Sequence, residues 1–258
     1  MSPSTPSYPV ALITGGTSGI GLATAQALHK HGFSVVVTGR NPQTIAAAEQ
    51  SLPEQVTILQ ADARNLADSE RTATEISHRY GRLDFAFFNV GIGRMLPIEA
   101  VDEAAFDEHF DVTVKGQYFL LQKLLPLFQN GGSLLFTTAV GAHRGIPSWS
   151  LYSASRGAVD GLIPALAAEL APRGIRVNGV RPGAIETPAL DKLGLPGQIL
   201  DAFRVAVPKR VPLGRMGSSG EIAEVVAFLA SPAASYINGT IIDVDGGMSS
   251  TASVINLF

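Results

Sequence analysis

Val10-Ala11-Leu12-Ile13-Thr14-Gly15-Gly16-Thr17-Ser18-Gly19-Ile20-Gly21 is the stretch that decides the architecture. An apolar run ends at Thr14 and passes directly into clustered glycines. Beyond them Ile20, Ala23, Ala27 and Leu28 recur at helical spacing, and Gly32 is a stop signal. Glycine permits the tight turn and lets a pyrophosphate approach the backbone N–H groups that open the helix. A glycine cluster alone carries little information. Between a first strand and a first helix it marks a dinucleotide-binding unit. The spacing here is Thr-Gly-x-x-x-Gly-Ile-Gly, not the commoner Gly-x-Gly-x-x-Gly.

The same alternation continues outward from this stretch. Apolar runs predict further strands at 33–38, 56–60, 83–88, 133–138, 175–181 and 240–244. Amphipathic spacing predicts helices at 20–31, 43–52, 66–80, 103–128, 149–171 and 220–229. The strands are apolar along their whole length, as strands covered by helices on both faces must be. The fold class is therefore α/β: a single-domain Rossmann fold with a doubly wound parallel sheet of about seven strands. Residues 10–258 form the one domain, and the Ser- and Pro-rich start at 1–9 reads as a disordered or loosely attached tail. The segment 182–217 is expected to be irregular. With Leu190, Leu193, Leu195, Ile199, Leu200 and Phe203 it could form an apolar flap over a ligand, or simply an ordered surface excursion.

Composition narrows the function. The net charge of −3 is spread over mixed acids and bases, without the basic stripe of a nucleic-acid binder. The absence of cysteine removes disulfides and thiol chemistry, and the five histidines show no ligand spacing, so no metal site is expected. The start lacks the basic flank and apolar core of a signal peptide. No apolar run reaches the ~18 residues needed to span a bilayer, and a cytoplasmic location is expected.

Further residues extend the pattern along nearly the whole chain: Asp62 after the third strand, Asn89-Val90-Gly91 after the fourth, and Tyr152 with Arg156 four residues on. Arg176-Val177-Asn178, Pro182-Gly183 with Ile185 and Thr187, and Asp245-Gly246-Gly247 follow. Together with the glycine turn they resemble the short-chain dehydrogenase/reductase family. The resemblance implies that Gly15, Thr17, Ser18, Gly19, Ile20 and Gly21 receive the pyrophosphate, and that Asp62 holds the adenine ring. Asn89 and Gly91 line the cofactor site, Tyr152 and Arg156 meet its nicotinamide ribose, and the segment from Arg176 to Thr187, with Pro182, Gly183 and Ile185, cradles the nicotinamide. It also implies a homodimer or homotetramer in which the helix bearing Tyr152 packs against its counterpart. Pro164, inside that helix, is expected to kink or loosen it.

Cofactor choice follows from the end of the second strand. An NAD-preferring site places a carboxylate there for the ribose 2′-hydroxyl. This chain has Gly39 followed by Arg40. Arginine can clamp a 2′-phosphate bidentately, so NADP(H) is the expected cofactor.

The catalytic pattern departs from the family's usual Asn-Ser-Tyr-Lys tetrad. Tyr152 is present as the acid/base, but Arg156 stands in the place of Lys, and Thr113 stands for Asn. Counting back 13 residues from Tyr152 puts Ala139 at the Ser position, whereas a one-residue slip would put Thr138 there. Arg156 supplies a fixed positive charge as lysine would, yet it cannot release a proton. A lost hydroxyl donor to a developing alkoxide costs on the order of 3 kcal/mol.

Three readings stay open. One is an NADPH-dependent reductase using Tyr152 and Arg156, with Thr138 or the substrate replacing the Ser. Another is a non-redox isomerase or cyclase that keeps NADP(H) as scaffold, and the third is a non-catalytic dinucleotide-binding protein. His143 could be a substitute acid or simply solvated. Trp149 could be a stacking platform or a packing residue, and Arg94 and Met95 could line the substrate mouth. The apolar flap and few charges near the pocket favour a hydrophobic small-molecule substrate.

Overall fold

The computed structural model describes residues 8–129, 131–194 and 196–250. Of the expected tail only Tyr8 and Pro9, both exposed, fall among the described residues; Leu195 of the expected flap also lies outside them. The strands in chain order are β1 (Val10–Thr14), β2 (Ser34–Gly39), β3 (Thr57–Gln60), β4 (Phe85–Phe88), β5 (Gly132–Thr137), β6 (Ile175–Pro182), β7 (Ile185–Glu186), β8 (Gly217–Ser218) and β9 (Ile241–Val244). Seven of them form one parallel sheet in the order β3-β2-β1-β4-β5-β6-β9, while β7 pairs only with β8.

The helices are α1 (Gly19–Lys30), α2 (Pro42–Ser51), α3 (Leu66–Tyr80), α4 (Glu103–Phe110), α5 (Gly116–Leu124), α6 (Ser150–Leu170), α7 (Gly197–Ala206) and α8 (Ser219–Ala230). Because side chains alternate along a strand, each central strand feeds two cores. Leu12, Val36, Phe88 and Phe136 meet Ile76 of α3, Leu121 of α5 and Ile163 of α6. Ile13, Val37, Phe87 and Leu135 meet Leu28 of α1 and Val226 of α8. Burying a side chain of this size contributes about 1.5–3 kcal/mol, so the sheet is held from both sides.

β1 lies between β2 and β4. The chain runs outward from β1 to β3 and then returns to the other side of β1. Reversal of strand order opens a crevice above the strand C-termini, where ligands bind in such sheets. The glycine turn and Asn89 stand at this place.

Two expectations are corrected. The predicted helix 103–128 is divided: α4 gives way to a π-helical turn at Asp111–Lys115, then to α5, then to a short 3-10 turn at Leu125–Leu127. The β-branched run Val112-Thr113-Val114 disfavours regular helix, and Pro126 ends it. Segment 182–217 is not irregular throughout, since it carries β7, α7 and two 3-10 turns. α6 runs through Pro164, whose ring is exposed. No helix among the described residues is long and apolar enough to cross a membrane.

Candidate active site

A cleft of about 1100 Å³ opens over the C-terminal ends of the strands. Its floor is the turn after β1. Gly15 takes φ +65° and Gly19 φ +53°, conformations that glycine adopts without strain. Ser18 precedes α1 in extended form and makes no side-chain cap, so the first N–H groups of this 12-residue helix keep no partner from it. They form a ready anion site. Thr14, Gly15, Thr17, Ser18, Gly19 and Ile20 line the cleft, whereas Gly21 lies behind them. A Cβ on Gly21 would stand 2.2 Å from the Gly15 carbonyl oxygen, so the helix backs directly onto the turn.

Asn89 holds this floor in place. Its Nδ2 donates to the carbonyls of Thr14 (3.2 Å) and Gly15 (3.4 Å), and its Oδ1 accepts from Thr137 Oγ1 (3.2 Å). Thr14 Oγ1 in turn accepts from the backbone N–H groups of Asn89 (2.9 Å) and Val90 (3.2 Å). The side chain of Asn89 is thus spent on the turn.

At one end of the cleft stand Arg40 and Asp62. Arg64 grips Asp62, with Nη2 2.6 Å from Oδ2, and Arg40 Nη1 lies 3.7 Å from the same oxygen. The Arg64 hydrogen bonds hold the Asp62 carboxyl below its ordinary range, against the opposing effect of burial. Thr17 Oγ1 and Thr44 Oγ1 are 3.1 Å apart beside Arg40, and Asn41 caps α2 through Gln43 N. Thr44 was not expected from sequence, though its place in the first turn of α2 was the available signal. A Cβ on Gly39 would come within 2.5 Å of Thr17 Cγ2, so any side chain there would have to displace Thr17.

At the other end Tyr152 and Arg156 rise from the first turns of α6. The Arg156 guanidinium carbon sits 5.7 Å from the Tyr152 ring centroid, within cation–π range. Arg156 is buried, donates from Nη1 to the Thr137 carbonyl (2.7 Å), and presses its Nη2 against Gly91, where a Cβ would stand only 2.0 Å away. Its Nε has no partner among the described residues. Trp149 meets Tyr152 edge-on, ring centroids 4.8 Å apart, and lies so close to Gly141 that a Cβ there would be 2.3 Å from Cζ3. Ser148 just before it takes φ 65°, the one non-glycine positive φ among the described residues, a strained backbone of the kind that gathers at functional sites.

Thr138 and Ala139 both line the cleft, and the Thr138 hydroxyl is buried without a partner among the described residues. Pro182, Gly183, Ile185 and Thr187 line it as well. Arg176 and Asn178 do not: Arg176 donates to the carbonyls of Leu229 and Ile237, and Asn178 bridges Ile237 and Thr240. Burial lowers the Arg176 pKa.

Several other candidates are placed elsewhere. Thr113 is fully buried in the π-helical turn and does not reach the cleft; Gln117, one turn on, does, and donates to the Val90 carbonyl. His143 lies outside the cleft against Asp160 and Arg181. Arg94 turns away to Glu108 (2.7 Å), while its neighbour Met95 lines the mouth.

Leu190, Leu193 and Phe203 of the 182–217 segment line the cleft, as do Met95, Ile146 and Trp149. Two main-chain bonds lace the rim: Met95 N to Leu193 O (3.1 Å) and Leu96 N to Ser148 O (2.8 Å). The expectation of few charges here is also corrected, because Arg144, Lys192 and Arg210 line this part of the cleft. They come from three separate segments that only the fold unites.

A family model described as enoyl-(acyl carrier protein) reductase matches residues 15–249. A 3-oxoacyl-(acyl-carrier-protein) reductase of Thermotoga maritima is 34% identical over 244 residues, 93% of this chain and 97% of that one. Levodione reductase of Leifsonia aquatica is 35% identical over 254 residues, covering 93% and 94% of the two chains. Among solved structures, one of levodione reductase superposes with a TM-score of 0.86 at 35% identity, over 95% of this chain and 98% of that one. A 3-ketoacyl-(acyl-carrier-protein) reductase from Brucella melitensis complexed with NADH gives 0.85 at 34% identity, over 93% and 98%.

Proposed function

This chain belongs to the short-chain dehydrogenase/reductase family, and from that premise we propose that it is an NADP(H)-dependent reductase of a carbonyl or related group on a hydrophobic small molecule. The observation that carries the reading is the Tyr152–Arg156 pair, set at the end of a cleft whose floor is an anion-binding glycine turn. The N–H groups at the start of α1, which Ser18 does not cap, and Arg40 beside the capped end of α2 fit a dinucleotide with a 2′-phosphate. When bound, the cofactor supplies the hydride.

The chain's own residues do the rest. The glycine turn binds the pyrophosphate, and Arg40 with Thr44 binds the 2′-phosphate. The Tyr152 hydroxyl donates its proton to the substrate oxygen, and the fixed charge of Arg156 stabilises the phenolate left behind. Arg156 binds the nicotinamide ribose through its free N–H groups. The flap and Trp149 exclude water. A hydroxyl at Thr138 would have to turn out of its buried position to aid the substrate oxygen.

The test is NADPH deuterated at the transferable C4 position, incubated with the purified protein and a metabolite extract. Deuterium in a product supports the reductase; an unlabelled product replaces it with an isomerase or cyclase that keeps its cofactor. Binding of NADPH without any product assigns the chain to non-catalytic dinucleotide binding.

Cofactor preference has its own check. Arg40→Ala should weaken NADPH binding by roughly 10–100-fold and leave NADH nearly unaffected, as expected for loss of a charge-assisted bidentate contact. Equal losses for both cofactors in calorimetric titrations would remove Arg40 as the discriminator.

We also propose that the protein assembles as a homodimer or homotetramer through α5 and α6. Ala154, Gly161, Ala165 and Ala168 leave an exposed stripe of small residues on α6, and α5 exposes Tyr118 (43%) and Phe119 (36%). A Cβ on Gly161 would meet nothing within 4 Å, so Gly161→Arg is tolerated by the isolated fold but obstructs the interface. Light scattering should show the variant as a monomer with an unchanged circular dichroism spectrum. An assembly unaffected by the substitution would place the interface elsewhere.

A further inference from the structure

The flap sorts its charges by side. Arg204 on α7 gathers Glu186, Asp191 and Asp201 around itself, at 3.5, 2.9 and 4.0 Å. Lys192, next to Asp191 in the chain, lines the cleft instead, together with Arg210 and Arg144. Among the described residues Lys192 and Arg210 have no ion-pair or side-chain hydrogen-bond partner. Arg144 donates only to the carbonyl of Met248. Arg210 and Arg144 converge on the same wall, because the segment after Arg210 packs on the turn that holds Met248: Leu213 N donates to Gly246 O (3.3 Å), and a Cβ on Gly246 would come within 2.7 Å of Val211.

The carboxylates lining the cleft are Asp62 and Asp68, both at the opposite end and both paired, with Arg64 (2.6 Å) and Arg71 (2.7 Å). Arg40 and Arg156 have uses at the cofactor. Three exposed cations therefore remain without counter-ions in a cleft whose lining also includes the apolar Met95, Ile146, Trp149, Leu190, Leu193 and Phe203. Cations of one sign on low-dielectric walls focus a field that draws anions in.

We propose that the substrate is an apolar molecule bearing one anionic oxygen group, held by Arg144, Lys192 and Arg210 while its apolar body lies in the cleft. A carboxylate and a phosphate monoester share this chemistry. The inference deepens the reductase reading, on which the word substrate rests, but the binding site itself is defined without turnover.

Trp149 is the sole tryptophan and lines the cleft, so its fluorescence reports occupancy directly. The NADP-saturated protein is titrated with 6-cyclohexylhexanoate, with 6-cyclohexylhexyl phosphate and with the neutral 6-cyclohexylhexan-1-ol. At least one anionic probe should bind about tenfold or more tightly than the alcohol, as charge-assisted hydrogen bonds require. Whichever anion binds better names the source. The preference should vanish in Lys192→Gln/Arg210→Gln, with NADP affinity and melting temperature unchanged. The proposal is overturned if the alcohol binds as well as the anions, if neither anion binds, or if the preference survives the double substitution. It is equally overturned if the double variant loses NADP affinity, for the cations would then serve the cofactor. Failure of deuterium transfer with the anion preference intact would sink the reductase reading alone.

Discussion

Replacing Tyr152 with phenylalanine should lower hydride transfer from NADPH by on the order of 10²–10⁴-fold and leave NADPH affinity within about twofold, the signature of a lost general acid. The substitution removes one oxygen and little else. Trp149 meets the ring edge-on at 4.8 Å, the Arg156 guanidinium carbon lies 5.7 Å from its centroid, and a Cβ on Gly93 would approach within 3.0 Å of Cε2. A phenyl ring remains wedged among the same neighbours. No described residue hydrogen-bonds the Tyr152 hydroxyl, so its loss leaves no orphaned partner in the protein. Single-turnover measurements with deuterated NADPH separate the chemical step from binding. A Phe variant that retains more than about a tenth of the rate would remove Tyr152 as the acid.

Gly21→Ala should destabilise the fold by about 3 kcal/mol, at the upper end of ordinary overpacking. For a domain of this size that lowers the melting temperature by roughly 6–12 °C. The added methyl would stand 2.2 Å from a backbone carbonyl, that of Gly15, and 2.9 Å from Asn89 Nδ2. Neither can give way cheaply. Asn89 is tied to Thr14, Gly15 and Thr137 at once, so moving it disturbs the ends of β1, β4 and β5 together. The turn proposed to receive the pyrophosphate shifts with them, and NADPH affinity should fall at least ~100-fold, about 2.7 kcal/mol. Scanning fluorimetry and NADPH titration read the two effects. An unchanged melting temperature would mean that the helix and the turn are less tightly apposed than the geometry requires.

The fold was legible where the chain's physics is local. Val10–Thr14 running into glycines and then helix, and strands apolar on both faces, defined the sheet and its crevice; element ends fall within two residues of expectation for most strands and helices. The helix α7 escaped, although Ile199, Leu200, Phe203 and Val207 stand at helical spacing, because Pro196, Gly197 and Pro208 read as breakers. They are its ends. The apolar period of 103–128 continues across the π-helical turn and masks the β-branched run Val112-Thr113-Val114 that marks the division.

In the site, Tyr152, Arg156 and most of the glycine turn line the cleft, whereas Arg176, Asn178 and Thr113 do not, and neither do the neighbours of two motifs. Arg94 follows the Asn-Val-Gly turn yet points to Glu108, and His143 precedes Tyr152 yet faces Asp160. Adjacency along the chain says nothing about side-chain direction in a loop. The gathering of Arg144, Lys192 and Arg210 could not be read at all, since it depends on three loops that meet only in the folded chain.

The lacing of the rim has a kinetic consequence. Its two main-chain bonds, Met95 to Leu193 and Leu96 to Ser148, join loops and belong to neither core. At a net worth of about 0.5–1.5 kcal/mol each, they can part by ordinary thermal breathing while the sheet and its helices stay intact. Admission to the cleft is then a frequent, shallow fluctuation of the entrance, and a guest's residence time is governed by the grip of the walls rather than by the latch.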